Sequence, residues 1–218
     1  METNDEKIIS VRDYVPQVVV LADGEYPCHQ FPCKLLHEAS FIACCDGAVN
    51  EYVLRGGRPN LIVGDGDSIS EDNKIRFAEI IIKVPDQETN DLTKTINQLK
   101  ERGFKRIAIV GATGKREDHT LANISLLLDY KTMGLDVCMV TDYGTFVPAE
   151  NKCSFISFNR QQISIFNFGA KKLVAEGLSY PLSDFTTWWQ GSLNQSEGAK
   201  FTIHAEGKYI VFLTHDKK

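Results

Sequence analysis

The chain has no C-x-x-C pair among its six cysteines, Cys28, Cys33, Cys44, Cys45, Cys138 and Cys153. That argues against a zinc or dithiol redox site, and the scatter argues against a disulfide framework. Cys44, Cys45 and Cys138 lie in apolar runs and read as small core residues. No apolar run approaches the length of a membrane span. The opening Met1-Glu2-Thr3-Asn4-Asp5-Glu6 is acidic and polar, unlike a signal peptide, so a cytoplasmic location is expected. Positive charge is also short: the formal net charge of −5 disfavours a general nucleic-acid binder. Low-complexity linkers and internal repeats are missing too. With 218 residues and a 43% hydrophobic fraction, one large or two small packed domains are expected.

Short apolar runs alternate with helical patterns through the first two thirds. Strands are expected at 17–22, 41–45, 61–64, 80–84, 106–110 and 135–141. Helices are expected near 34–38, after a cap at Ser68 or Ser70, after a cap at Thr89 or Asn90, and along Leu121, Ile124, Leu127 and Leu128. Alternation of this kind predicts a doubly wound, mostly parallel α/β sheet. Residues 1–16 read as a frayed start. Beyond residue 144 short strand-like segments at 145–149, 153–158, 162–167, 171–175, 200–205 and 209–213 predict a small antiparallel β-sandwich or partial barrel. The expected domains are therefore 1–144 and 145–218.

Carboxylates collect where strands end: Asp46; Asp65 with Asp67; Asp86 with Asp91; and Asp118, slightly displaced. The stretch Leu61-Ile62-Val63-Gly64-Asp65-Gly66-Asp67-Ser68 is a buried strand running into a glycine-freed acidic turn. Ligands bind at such strand ends in open α/β sheets. Crowded carboxylates call for a cation, and oxygen-only ligands favour Mg²⁺ held together with substrate phosphates. Gly111-Ala112-Thr113-Gly114 can present N–H groups to an anion, and Arg116 can grip a phosphate through two nitrogens. The run has neither the ending of a P-loop nor a dinucleotide fingerprint.

Four blocks in order narrow the reading: Asp46-Gly47-Ala48-Val49-Asn50; Gly64 to Ser68; Asp86-Gln87 with Asp91 and Lys94; and Gly111 to His119 with Asn123. Together they resemble the thiamine pyrophosphokinase family, whose pattern is D-G-A-x-N, G-D-x-D-S, D-Q-x-x-T-D-x-x-K and G-A-x-G-x-R-x-D-H-x-x-x-N. The resemblance implies a catalytic α/β domain followed by a thiamine-binding β-sandwich, a homodimer, and transfer of diphosphate from ATP to the thiamine hydroxyl with release of AMP. It implies that Asp65, Asp67 and Asp91 hold Mg²⁺, with Asp46 in the same acidic cluster. Gln87, Lys94, Gly111, Thr113, Gly114, Arg116, Asp118 and His119 would line the nucleotide side. Asp46, Asp67, Asp91 and Arg116 would carry the catalysis, with Asp46 or Asp67 a candidate acceptor for the alcohol proton. Thiamine is a cation with a flat ring, and Tyr180, Trp188 or Trp189 could stack on it; Ser192 and Asn194 fall in the matching second-domain segment. Asn90 and Leu193 replace the family's usual threonine and serine. Competing expectations are an Asp-x-Asp sugar-nucleotide transferase and an inactive thiamine- or nucleotide-binding sensor. No nucleic-acid or membrane partner is expected.

Overall fold

The structure, a computed structural model, describes residues 7–86 and 88–216. It begins with β1 (Lys7–Ile9), followed by β2 (Val18–Leu21), α1 (Gln30–Glu38), β3 (Ile42–Cys45), α2 (Ala48–Leu54), β4 (Leu61–Gly64) and α3 (Glu71–Arg76). Next come β5 (Ile81–Lys83), α4 (Asp91–Glu101), β6 (Arg106–Val110), α5 (Glu117–Thr132) and β7 (Asp136–Val140). The remaining strands are β8 (Gly144–Glu150), β9 (Cys153–Ile156), β10 (Gln162–Asn167), β11 (Lys171–Glu176), β12 (Asn194–Gln195), β13 (Lys200–Glu206) and β14 (Lys208–Thr214). Among the described residues no helix is long and apolar enough to cross a membrane.

Residues 15–142 form one compact unit. Its strands lie in the order β7-β6-β2-β3-β4-β5, every pairing parallel. Val18, Val19, Val20, Ala43, Cys44, Ile62 and Val63 are completely buried, which explains strands that read as unbroken apolar runs. The chain steps outward from β2 to β5, and α4 then returns it to lay β6 on the other side of β2. The strand order therefore reverses between β2 and β6. Register aligns the strand ends: Leu21 lies opposite both Cys44 and Val110, and Cys45 opposite Val63. The residues just beyond them share one edge of the sheet.

Local sequence explains most boundaries. Ser70 caps α3 by accepting from the Asn73 N–H, and Asn90 caps α4 by accepting from the Thr93 N–H. α1 starts earlier than expected because His29 caps it and Pro32 falls in its first turn, where no N–H is needed. The sequence reading contained no helix over 48–54. α2 has Gly47 at its N-cap with no side-chain cap bond, and it is held by burial of Ala48, Val49 and Tyr52.

The second unit combines residues 7–14 with 143–216. The segment read as a frayed start thus supplies β1, which pairs in parallel with β9, Lys7 opposite Cys153. The two units divide between Asp142 and Tyr143, and the chain's beginning belongs with its end. One sheet runs β1-β9-β13-β11. The strands β12, β10, β14 and β8 pair antiparallel in that order. Phe155 stacks on Phe201 at 5.0 Å, and Phe146 packs on Phe212 at 4.5 Å.

Candidate active site

The reversal between β2 and β6 brings two glycine turns into contact. The Gly24 N–H donates to the Gly111 carbonyl (2.6 Å), and the Glu25 N–H donates to the Thr113 carbonyl (2.8 Å). A Cβ on Gly24 would lie 2.4 Å from the Gly111 oxygen and 2.5 Å from that of Thr113, so no other residue fits without displacing the turn. Gly111, Gly114 and Lys115 all have positive φ. The run 111–114 is thus a tight exit from β6 whose glycines allow the turn, and it leads through Lys115 and Arg116 to α5.

The acidic turn after β4 is organised by Asp46. Its carboxylate is buried, and it accepts the N–H of Gly66 (2.8 Å) through Oδ1 and that of Ser68 (3.0 Å) through Oδ2. A Cβ on Gly64 would come within 2.5 Å of the Asp46 Cβ, which explains glycine there. Asp65 accepts from the Asp67 N–H at 3.0 Å, while the Asp67 side chain itself is exposed.

A cavity of about 440 Å³ opens over these strand ends. Asp23, Asp65 and Asp91 line it, with Lys94, Lys115, Arg116, His119 and Asn123. The Lys94 ammonium, only 5% exposed, donates to Asp91 at 3.0 Å. Lys115 spans to Asp23, bonding its carboxylate (3.0 Å) and its carbonyl (3.1 Å). Asn90 reaches across to donate to Asn123 (3.1 Å), whose own amide donates to the Ala112 carbonyl. Arg116 is held by two nitrogens on Asp118, whose carboxyl that contact pulls down to about 2.

The expected metal set is brought together only in part. Asp65 and Asp91 face the cavity; Asp67 is not among its lining residues, and Asp46 is turned inward to the loop it supports. Asp86 accepts from Thr89 and the Glu88 N–H within its own turn. Gly111 and Thr113 shape the turn without lining the cavity, whereas Gly114 lines it. Gln87 lies outside the described residues. Asp23 escaped the sequence reading, although Ala22-Asp23-Gly24 repeats the strand–carboxylate–glycine pattern of Cys45-Asp46-Gly47.

The donor chemistry fits a hard divalent cation. The one sulfur in the lining, Cys45, bonds Thr95 at 3.3 Å, and burial pushes its thiol up to about 12, so it offers no thiolate at neutral pH. Among the described residues no three His, Cys, Asp or Glu side chains are gathered tightly enough to chelate an ion alone. Carboxylates spread around a cavity with Lys and Arg among them suit an ion whose remaining ligands are substrate phosphates and water.

In the second unit, Tyr180 (61%), Trp188 (45%) and Trp189 (75%) are exposed. Trp188 also packs against Phe168 at 5.2 Å. Asn194 is buried, its amide oxygen accepting from the Tyr180 N–H and its nitrogen donating to the Tyr180 carbonyl. It therefore braces the segment that presents Tyr180. The Ser192 hydroxyl donates to the Trp189 carbonyl at 2.7 Å. Leu193 is exposed with φ of 63°, a backbone conformation uncommon for a leucine.

Comparison with known proteins agrees with this organisation. Residues 33–139 match the family model described as thiamin pyrophosphokinase, catalytic domain, and residues 144–212 the one described as thiamin pyrophosphokinase, substrate-binding domain. A thiamin pyrophosphokinase 1 of Caenorhabditis elegans is 31% identical over 106 residues, covering 44% of this chain and 43% of the relative. One from Oryza sativa subsp. japonica is 32% identical over 149 residues, covering 57% of this chain and 55% of the relative. The matches thus span about half the length of these curated relatives. The solved thiamin pyrophosphokinase of Candida albicans superposes with a TM-score of 0.77 at 20% identity, over 99% of this chain and 95% of that one. Two models of one family, matched in order along a chain of the same fold, establish that this chain belongs to the thiamin pyrophosphokinase family.

Proposed function

We propose that this protein transfers the terminal diphosphate of ATP to the hydroxyl of thiamine, giving thiamine diphosphate and AMP. The observation that carries the reading is the cavity at the β2/β6 reversal, where Asp23, Asp65 and Asp91 face Lys94, Lys115, Arg116 and His119. Carboxylates beside cations suit a polyphosphate that arrives with its own divalent ion.

In this reading Asp65 and Asp91 would hold Mg²⁺, with Asp67 on the same acidic turn as Asp65. The ion would neutralise phosphate charge in the transition state. Lys94 sets the position of the Asp91 carboxylate through its ion pair. Lys115, Arg116 and His119 bind phosphate oxygens, with Arg116 exchanging Asp118 for substrate. The thiamine oxygen forms its bond to the β-phosphorus as the bond from that phosphorus to the oxygen shared with the α-phosphorus breaks. The electron pair leaves with AMP and the hydroxyl proton passes to a base. Asp46 has both oxygens engaged by N–H donors, which supports a positioning role and leaves Asp67 the better candidate for that base. Alignment and charge neutralisation supply most of the rate.

Tyr180, Trp188 and Ser192 are assigned to the thiamine side, with Asn194 as their brace. The finer architecture in this proposal is a doubly wound sheet with a β-sandwich, assembled as a cytoplasmic homodimer. Incubation with ATP, Mg²⁺ and thiamine, followed by mass analysis, tests the assignment. AMP appearing only with thiamine is the expected result. Release of a nucleoside diphosphate with sugar transfer, or ligand binding without turnover, would overturn it.

A further inference from the structure

A second cavity of about 470 Å³ lies between α1 and the C-terminal end of α2 and shares no lining residue with the first. Its wall is formed by Tyr26, His37, Tyr52, Arg55 and Arg58, with the backbone of Gly56 and Gly57. We propose that this cavity binds a small phosphate-class oxyanion, phosphate or diphosphate, between Arg55, Arg58 and the Tyr52 hydroxyl. The inference does not depend on the diphosphotransferase assignment.

Charge is the first argument. Arg58 has no ion pair or hydrogen bond among the described residues. Among the described residues Arg55 bonds through its Nε alone, on Glu51 at 2.6 Å, and its guanidinium carbon lies over the Tyr26 ring, 4.3 Å from the centroid. The terminal nitrogens of Arg55 are left to face a ligand, already oriented by stacking and by the Glu51 contact. Among the described residues no carboxylate lines the cavity, so the wall repels a cation such as thiamine and attracts an anion.

The second argument is Tyr52. It is 8% exposed, yet its hydroxyl has no hydrogen-bond partner among the described residues. The hydroxyl is not sealed from solvent, and Tyr52 lines the cavity, so the O–H is available to an anion there. Burial raises the phenols of both Tyr26 and Tyr52, which keeps them protonated and able to donate. The shape of the wall is built in as well. A Cβ on Gly57 would lie 2.4 Å from the Tyr52 ring, so the glycine lets the chain fold tightly over that ring. Three carbonyls at the end of α2, those of Glu51, Tyr52 and Val53, are already taken by the N–H groups of Arg55, Gly57 and Gly56. The helix end therefore presents little free negative charge to an incoming anion.

The test is metal-free titration calorimetry of the full chain with inorganic phosphate and, separately, inorganic diphosphate. Wild type, Arg58→Ala, Arg58→Lys, Tyr52→Phe and a Lys115→Ala/Arg116→Ala control are compared. The expected result is saturable binding that survives in the control and weakens about 10-fold or more in Arg58→Ala. Arg58→Lys falls between, because it keeps the charge and loses the planar fork. Tyr52→Phe keeps the ring against Gly57 and weakens binding through the hydroxyl alone, so it decides the matter if Arg58→Ala fails to fold. Absence of saturable binding in wild type overturns the proposal, as does binding unchanged in Arg58→Ala and Tyr52→Phe or lost only in the control.

Discussion

Replacing Asp46 separates a carboxylate that shapes the acidic turn from one that does chemistry. Its two oxygens hold the Gly66 and Ser68 N–H groups at 2.8 and 3.0 Å. Hydrogen bonds to a charged group contribute about 1.5–3 kcal/mol each. Gly66 is buried, so Asp46→Ala leaves its N–H without water or partner; Ser68 is exposed and recovers most of its loss from solvent. The expected cost is about 2–4 kcal/mol, a fall in Tm of roughly 4–16 °C for a unit of this size. Asp46→Asn keeps one acceptor and turns an amide N–H₂ toward the other donor, so about half that loss is expected. Under the proposed function, activity falls with stability in both variants, by roughly 10–100-fold in Asp46→Asn, because the turn carrying Asp65 loses its support and the Mg²⁺ concentration needed for turnover rises. Gly64→Ala drives a methyl into Asp46 and produces the same defect. Combined with Asp46→Ala it adds less than the sum of the two, since both break one contact. Thermal melts and Mg²⁺ titrations of turnover measure all of this. An Asp46→Asn protein as stable as wild type but without turnover would refute the positioning role and return Asp46 to the candidate bases.

Gly24→Ala places a methyl within 2.5 Å of two carbonyl oxygens, so a loss of more than about 2 kcal/mol is expected by chemical denaturation. Asn90→Ala removes the cap of α4 and the bridge to Asn123, costing about 1 kcal/mol, while Asn90→Thr restores the cap alone. A melt in which Asn90→Ala equals wild type contradicts that account. Hydrogen bonding to Asp142 raises the Cys28 thiol above its ordinary value, so less thiolate is present near pH 8 than in a free cysteine. Asp142→Asn should speed Cys28 alkylation there, with the difference vanishing at high pH once both thiols are ionised; an unchanged rate at pH 8 counts against the contact.

Much of the parallel-sheet unit was legible because its strands are fully buried and its carboxylates follow them directly. Val18–Leu21, Ile42–Cys45 and Leu61–Gly64 are unbroken apolar runs, and a parallel sheet covered on both faces demands that pattern. Asn90 and Ser70 announced their helices through capping chemistry that depends only on neighbouring residues. α2 was hidden for the opposite reason: with no side-chain cap, it forms because Ala48, Val49 and Tyr52 find a core. Likewise β1 is three residues that gain a partner only at Cys153, far along the chain. Pairing at that distance leaves no trace in local pattern.

The same division runs through the site. Residue order alone marked the acidic strand exits, the glycine turn and the Lys115-Arg116 pair just before α5, because each is a short-range feature of chain geometry and charge. Which carboxylates share a cavity depended on where side chains point after packing. Asp46 is turned inward by two N–H groups, Asp67 is left outside the lining, and Asp23 is brought in by the reversal that sets β2 beside β6. Spacing along a chain limits which groups can meet; the direction of each Cβ and the neighbour that claims each oxygen are set only when separate strands and helices come together.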